Sequence, residues 1–107
     1  MYTRVVEITS KSGKARELCS IIDDKVLPLL KRQAGFVDET VIVSDTEPNR
    51  VLALSFWKTR EDANRYAREQ FDTVQKTVQN LLETAPVVRT FDVHTSTMHK
   101  VAADKAA

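Results

Sequence analysis

Apolar positions along this chain follow two periods in turn. Residues 2–10, YTRVVEITS, are rich in β-branched side chains and read as a strand. In residues 14–32, Leu18, Cys19, Ile22, Val26, Leu29 and Leu30 recur at helical spacing. Pro28 falls inside that stripe, and its missing donor predicts a kink or a loosened last turn. Residues 38–44, centred on VIV, read as a second strand. The polar SDTEPNR is a turn, and residues 51–57, VLALSFW, complete a hairpin. Thr59 opens a second helix, with Asp62 at capping-box spacing. Ala63, Tyr66, Ala67, Gln70, Val74, Val78, Leu81 and Leu82 follow one face of it, with a break expected near Phe71, where the stripe drifts. Pro86 ends the helix. Residues 87–95, VVRTFDVHT, read as the last strand.

The order β-α-β-β-α-β predicts a ferredoxin-like α+β domain, two helices on one face of a four-stranded antiparallel sheet. The third strand then poses a problem. A half-exposed strand alternates apolar and polar residues, whereas Val51 to Trp57 are apolar or small on both faces. Four strands at about 4.8 Å spacing and roughly 20 Å length leave a second face of about 400 Å². Burying an apolar half of it contributes at most on the order of 5 kcal/mol per chain. The expectation is that a second chain covers that face, or closes a ligand cavity over it.

Alternation assigns side chains to the two faces. Leu52, Leu54 and Phe56 are bulky and uniform and are placed under the helices, with Val6 and Ile8 on the first strand and Phe91 and Val93 on the last. Val51, Ala53, Ser55 and Trp57 then point the other way, with Thr3, Val5, Glu7 and Thr9, and with Val88, Thr90, Asp92 and His94. That second face has the make-up of a pocket with a few polar groups. Arg89 resists the scheme: it lies at a sheet end, or the register is off by one. On this reading His94 is a candidate general base, with Asp92 on the same face to orient it, or else an exposed histidine at a strand end. Trp57 stacks on an aromatic substrate or simply packs. Glu7 binds a substrate hydroxyl or pairs with a basic group across a dimer. Tyr66 belongs to the buried stripe, with its hydroxyl at a pocket edge.

Composition narrows the classes. With 107 residues the chain suits one domain, read as residues 1–97 followed by a weakly patterned tail, 98–107. Sixteen basic and fifteen acidic residues are mixed along it, which argues against a nucleic-acid footprint or a polybasic membrane patch. No apolar run is long enough to span a bilayer, and MYTRVVEIT lacks a signal-peptide layout, so a cytoplasmic protein is expected. Cys19 is the sole cysteine, which excludes an intramolecular disulfide and a CxxC site; its helical neighbours Leu18 and Ile22 point to burial. The two histidines, His94 and His99, form no zinc pattern. Phosphate-cradling loops and a GxSxG motif are missing, so neither metal nor cofactor is expected.

Three stretches carry a family likeness: SKSGKARE opening the first helix, KRQAGFVD closing it, and LSFWKTREDANRY running from the third strand into the second helix. On these, over roughly residues 2–97, the chain resembles the antibiotic-biosynthesis monooxygenase-like family. The resemblance implies a homodimeric α+β barrel in which two sheets face each other. It also implies a cofactor-independent monooxygenase that oxidises a small aromatic or quinol with O₂, using Trp, Tyr, Asn or His groups of a pocket. Trp57, Tyr66, Asn64 and His94 are available in kind, and Glu7 and Ser55 share the pocket face as substrate-binding candidates. The haem-degrading branch of the family carries Asn, Trp and His where this chain has Val6 (or Val5), Tyr66 and Lys76, so its pattern is not met. A dimeric module that binds a small ligand or a partner protein without turnover is the alternative.

Overall fold

A computed structural model of the chain describes residues 1–101. Strands β1 (Tyr2–Thr9), β2 (Phe36–Val43), β3 (Arg50–Trp57) and β4 (Val87–Asp92) form one antiparallel sheet in the order β2-β3-β1-β4. The domain is ferredoxin-like α+β, as the element order predicts. The first helical segment consists of α1 (Ala15–Ile21), one π-helical turn (Ile22–Val26) and α2 (Leu27–Lys31). Pro28 explains the distortion. A proline clashes with the carbonyl four residues back, here that of Asp24 inside the π turn. The irregularity therefore lies one turn upstream of the proline.

The second helical segment is α3 (Arg60–Glu69) and α4 (Phe71–Val78), followed by a 3-10 turn at Gln79–Leu81. Thr59 Oγ1 accepts the Asp62 amide at 3.1 Å and donates to Asp62 Oδ2 at 2.9 Å. This satisfies one of the amides left free in a first helical turn, an effect worth about 1 kcal/mol. Asp62 has a second role. Gly35, at φ +79°, passes so close to it that a Cβ there would overlap the Asp62 side chain. The Gly35 carbonyl also accepts the Lys58 amide at 2.9 Å, so the start of α3 is tied to the turn before β2. The expected break falls at Gln70, whose φ of −126° ends α3.

Helices and sheet enclose a core around Leu18, Leu30, Val51 and Trp57, all essentially inaccessible. Each buried leucine contributes about 2 kcal/mol of transfer free energy. The pairing register corrects the face assignment on two strands. Tyr2 pairs with Trp57, Arg4 with Ser55, Val6 with Ala53 and Ile8 with Val51, so Val51, Ala53, Ser55 and Trp57 lie under the helices. Leu52, Leu54 and Phe56 face the other way. On β4, Val88, Thr90 and Asp92 pair with the helix-side residues of β1, which puts Val87, Arg89 and Phe91 on the outer face. Bulk misled the reading: both faces of β3 are apolar, so size could not tell inside from outside. Arg89 lies on the outer face, so the expected register is off by one on β4, and its guanidinium is 2.9 Å from Glu7 Oε2.

The outer face carries Val5, Ile42, Leu52, Leu54, Phe56 and Phe91, and among the described residues no helix covers it. Phe91 is 51 % exposed and Ile42 47 %. The chain past β4 turns back over one end of this face. The Val93 amide donates to the Met1 carbonyl at 2.9 Å, and His99 Nε2 lies 3.1 Å from Asp38 Oδ2 with its ring 6.1 Å from Phe56. Of the tail read as 98–107, residues 102–107 lie outside the described residues. Among the described residues no helix is long and apolar enough to cross a membrane.

Candidate functional site

A row of side chains crosses the helix side of the sheet. Glu39 on β2 pairs with Ser55 on β3, Ser55 with Arg4 on β1, and Arg4 with Thr90 on β4. Next to it runs the apolar row Val41, Ala53, Val6 and Val88. Ala53 and Ser55 are small, and the space they leave forms a cavity of about 50 Å³. Val26 and Leu30 bound it from the first helical segment, Phe71 and Val74 from α4, and Arg4, Glu39, Ser55, Tyr66 and Gln75 are its polar contributors.

Two of those polar groups carry a buried atom with no hydrogen-bond partner among the described residues. Arg4 is only 6 % exposed, its Nε has no hydrogen-bond partner, and among the described residues no carboxylate lies at ion-pair distance from it. Its guanidinium instead sits 4.8 Å from the Phe71 ring centroid and 5.6 Å from that of Tyr66, where cation–π attraction repays part of the desolvation. Burial pulls its pKa below the ordinary value, and Tyr66 and Tyr2 oppose that. Glu39 Oε1 is likewise buried and unpartnered. Burial, and secondarily the neighbouring Asp38 charge, pushes the Glu39 carboxyl up to about 7. Burial raises the Tyr66 phenol to about 12, with Arg4 opposing and Glu39 adding to the rise. Tyr66 thus stays a neutral donor, while Glu39 changes charge near neutrality.

Trp57 is fully buried and packs. It stacks on Tyr66 at 5.0 Å and 28° and meets Phe36 edge-on at 5.6 Å. Its Nε1 donates to Ser55 Oγ at 2.9 Å, which fixes that hydroxyl. Tyr66 belongs to the core and lines the cavity, as its place on the apolar stripe predicts.

The other predicted residues lie apart from the cavity. Glu7 is on the outer face, paired with Arg50 and Arg89 of its own chain. Asn64 is exposed on α3. Asp92 is exposed and 3.6 Å from Arg60. His94 is exposed beyond the end of β4. The structure therefore does not unite His94, Asp92 and Trp57 in one pocket. Cys19 is half-buried, its thiol raised by burial and by Asp23. Among the described residues no cluster of three His, Cys, Asp or Glu could hold a metal ion. Lys76, where the haem-degrading pattern has a histidine, is an exposed partner of Asp72 at 3.0 Å.

Arg4 and Glu39 are the residues that sequence reasoning missed. A signal for Arg4 was present: it shares the face of Val6 and Ile8, so a charge stood in the middle of a core-facing row. Glu39 shares the face of Val41 and Val43, but an irregularity between Phe36 and Asp38 shifts the register at the strand's start and obscured the alternation.

The fold and this helix-side cavity define an α+β domain of the ferredoxin-like kind with a small ionisable pocket. The profile of the antibiotic biosynthesis monooxygenase family matches residues 1–80, and the chain belongs to that family. None of the curated proteins compared with the chain matches it. Among solved structures, SnoaB, a cofactor-independent oxygenase from Streptomyces nogalater, is 19 % identical with a TM-score of 0.76, covering 92 % of this chain and 97 % of its own. The monooxygenase ActVA-Orf6 of Streptomyces coelicolor, solved with nanaomycin D, is 14 % identical with a TM-score of 0.75, covering 92 % of each chain. A protein of unknown function from Nitrosomonas europaea reaches a TM-score of 0.77 at 13 % identity, over 92 % of this chain and 94 % of its own. These three share the fold.

Proposed function

We propose that the chain is a cofactor-independent monooxygenase that oxidises a small hydroxyaromatic or quinol with O₂ in the cavity beneath its helices. The observation that carries the reading is a cavity with apolar walls, lined by Arg4 and Glu39, whose buried Nε and Oε1 have no hydrogen-bond partner among the described residues. Membership of the monooxygenase family supports it, as do two structural neighbours, one a cofactor-independent oxygenase and the other a monooxygenase. The chemistry is balanced without a reductant. The substrate loses a proton, and its electron-rich anion reacts with O₂. A ring carbon that bore one hydrogen becomes a carbonyl with one oxygen atom, and the second oxygen leaves as water, carrying that hydrogen and the hydroxyl proton.

Size constrains the substrate. A cavity of about 150 Å³ holds benzene, three times the space found here. Entry of a ring therefore requires the helices to part from the sheet. The π-helical turn and the start of α4 after the Gln70 break both contribute lining residues, and they are the irregular points of the two helical segments. We further propose that a second copy of the chain covers the outer apolar face.

Oxygen uptake with reduced naphthoquinols and anthrones, corrected for autoxidation, tests the reading. Saturable uptake that is insensitive to chelators and added flavin is expected. Binding of the same compounds without uptake would favour the ligand-binding dimer instead.

A further inference from the structure

We propose that Glu39 is the general base of this cavity and that Arg4 holds the oxyanion that Glu39 creates, so that the substrate enters as a neutral hydroxyaromatic. The proposal rests on the monooxygenase reading for its reaction, but its binding claim stands on geometry. Glu39 and Arg4 occupy one row of the sheet with Ser55 between them. Two strand spacings separate their backbones by roughly 10 Å. They form no ion pair, although Arg4 is buried, Glu39 is half-buried with its Oε1 inaccessible, and both line the same space. A guanidinium buried without an anion is ready to receive one. The residue between them, Ser55, accepts a hydrogen bond from Trp57 Nε1 at 2.9 Å.

The proton step is internal. The substrate O–H bond breaks and an O–H bond forms on Glu39. The negative charge moves from the carboxylate to the substrate oxygen, within reach of Arg4. Net charge in the cavity is unchanged, so no further ion is desolvated. A substrate that arrives already anionic would pair with Arg4 and have no need of Glu39. The other titratable group in the lining, Tyr66 from α3, remains protonated and can donate to the same oxyanion. The charged and titratable groups acting on the site are Arg4 from β1, Tyr66 from α3 and Asp38 beside Glu39 on β2, the last held by His99 at 3.1 Å.

Two arms test the proposal. In the kinetic arm, wild-type kcat/KM falls on the acid side of about pH 7. Glu39→Gln lowers kcat/KM at pH 8 by about 10²- to 10⁴-fold and abolishes the acid limb, while Glu39→Asp keeps the limb. An acid limb that persists in Glu39→Gln overturns the assignment even if the enzyme is a monooxygenase. The second arm needs no turnover. Phenol and anisole are titrated into the protein under NMR observation. Wild type is expected to prefer phenol at least tenfold, and Glu39→Gln and Arg4→Met are each expected to reduce that preference. Equal binding of phenol and anisole by wild type overturns the proposal. If no substrate supports oxygen uptake, the monooxygenase reading fails, and this arm still decides whether Glu39 and Arg4 recognise a hydroxyl.

Discussion

Glu39→Gln separates the stability of this protein from its chemistry. The substitution keeps the shape of the side chain and removes its ionisation. Folding raises the Glu39 carboxyl from 4.5 to about 7, chiefly through burial. A raised acid binds its proton more tightly in the folded state, so it favours folding below pH 4.5 and loses that contribution as pH rises through about 7. At 1.36 kcal/mol for each pH unit, ionised Glu39 costs the folded wild type up to about 3 kcal/mol above pH 8. Glu39→Gln does not ionise, so it escapes this cost. Urea unfolding of both proteins, measured from pH 4.5 to 8.5, reads the difference directly. The two curves should nearly coincide at the acid end. The variant should become the more stable by on the order of 2–3 kcal/mol at the alkaline end. A mutant-minus-wild-type difference that stays flat across this range would refute the claim that burial of Glu39 Oε1 without a partner raises this carboxyl.

Thr59→Ala removes the cap of α3 and is expected to lower stability by about 1 kcal/mol in urea unfolding, with Thr59→Ser recovering most of it. Gly35→Ala meets both a positive φ and the Asp62 side chain, and should cost on the order of 2–3 kcal/mol; a loss below half of that would show that the Gly35 turn yields. Phe91→Glu places a charge in the outer apolar face. If a second copy covers that face, sedimentation should show a dimer for wild type and a monomer for the variant. A monomeric wild type would remove the homodimer from the account.

The division of the chain into strands and helices was legible because each segment obeys its period and few residues interrupt it. Thr59 and Asp62 announced the start of α3, and the drift near Phe71 announced the break at Gln70. The facing of β3 was not legible. Leu52, Leu54 and Phe56 alternate with Val51, Ala53, Ser55 and Trp57, and both sets suit burial. Only the pairing with Tyr2, Arg4, Val6 and Ile8 decides between them. The candidate site inherited that inversion. Glu7 stands on the outer face, where it pairs with Arg50 and Arg89, and Asp92 and His94 belong to or follow β4, whose facing was inverted as well. Arg4 was legible as a charge on the face of Val6 and Ile8, whereas Glu39 was masked by the register irregularity between Phe36 and Asp38. Tyr66 and Trp57 were visible as aromatic members of the core, and the structure stacks them on each other beside the cavity.

The central claim is that the chemistry takes place beneath the helices and not on the outer face of the sheet. Oxygen uptake by Ala53→Val tests it most directly. Ala53 lies on the cavity floor, and added methyl groups there fill the space that a substrate ring must enter. The account predicts substrate-dependent uptake by wild type and at least a tenfold loss in Ala53→Val with the fold retained by circular dichroism. Wild-type rates in Ala53→Val, or no uptake by the wild type itself, would contradict it.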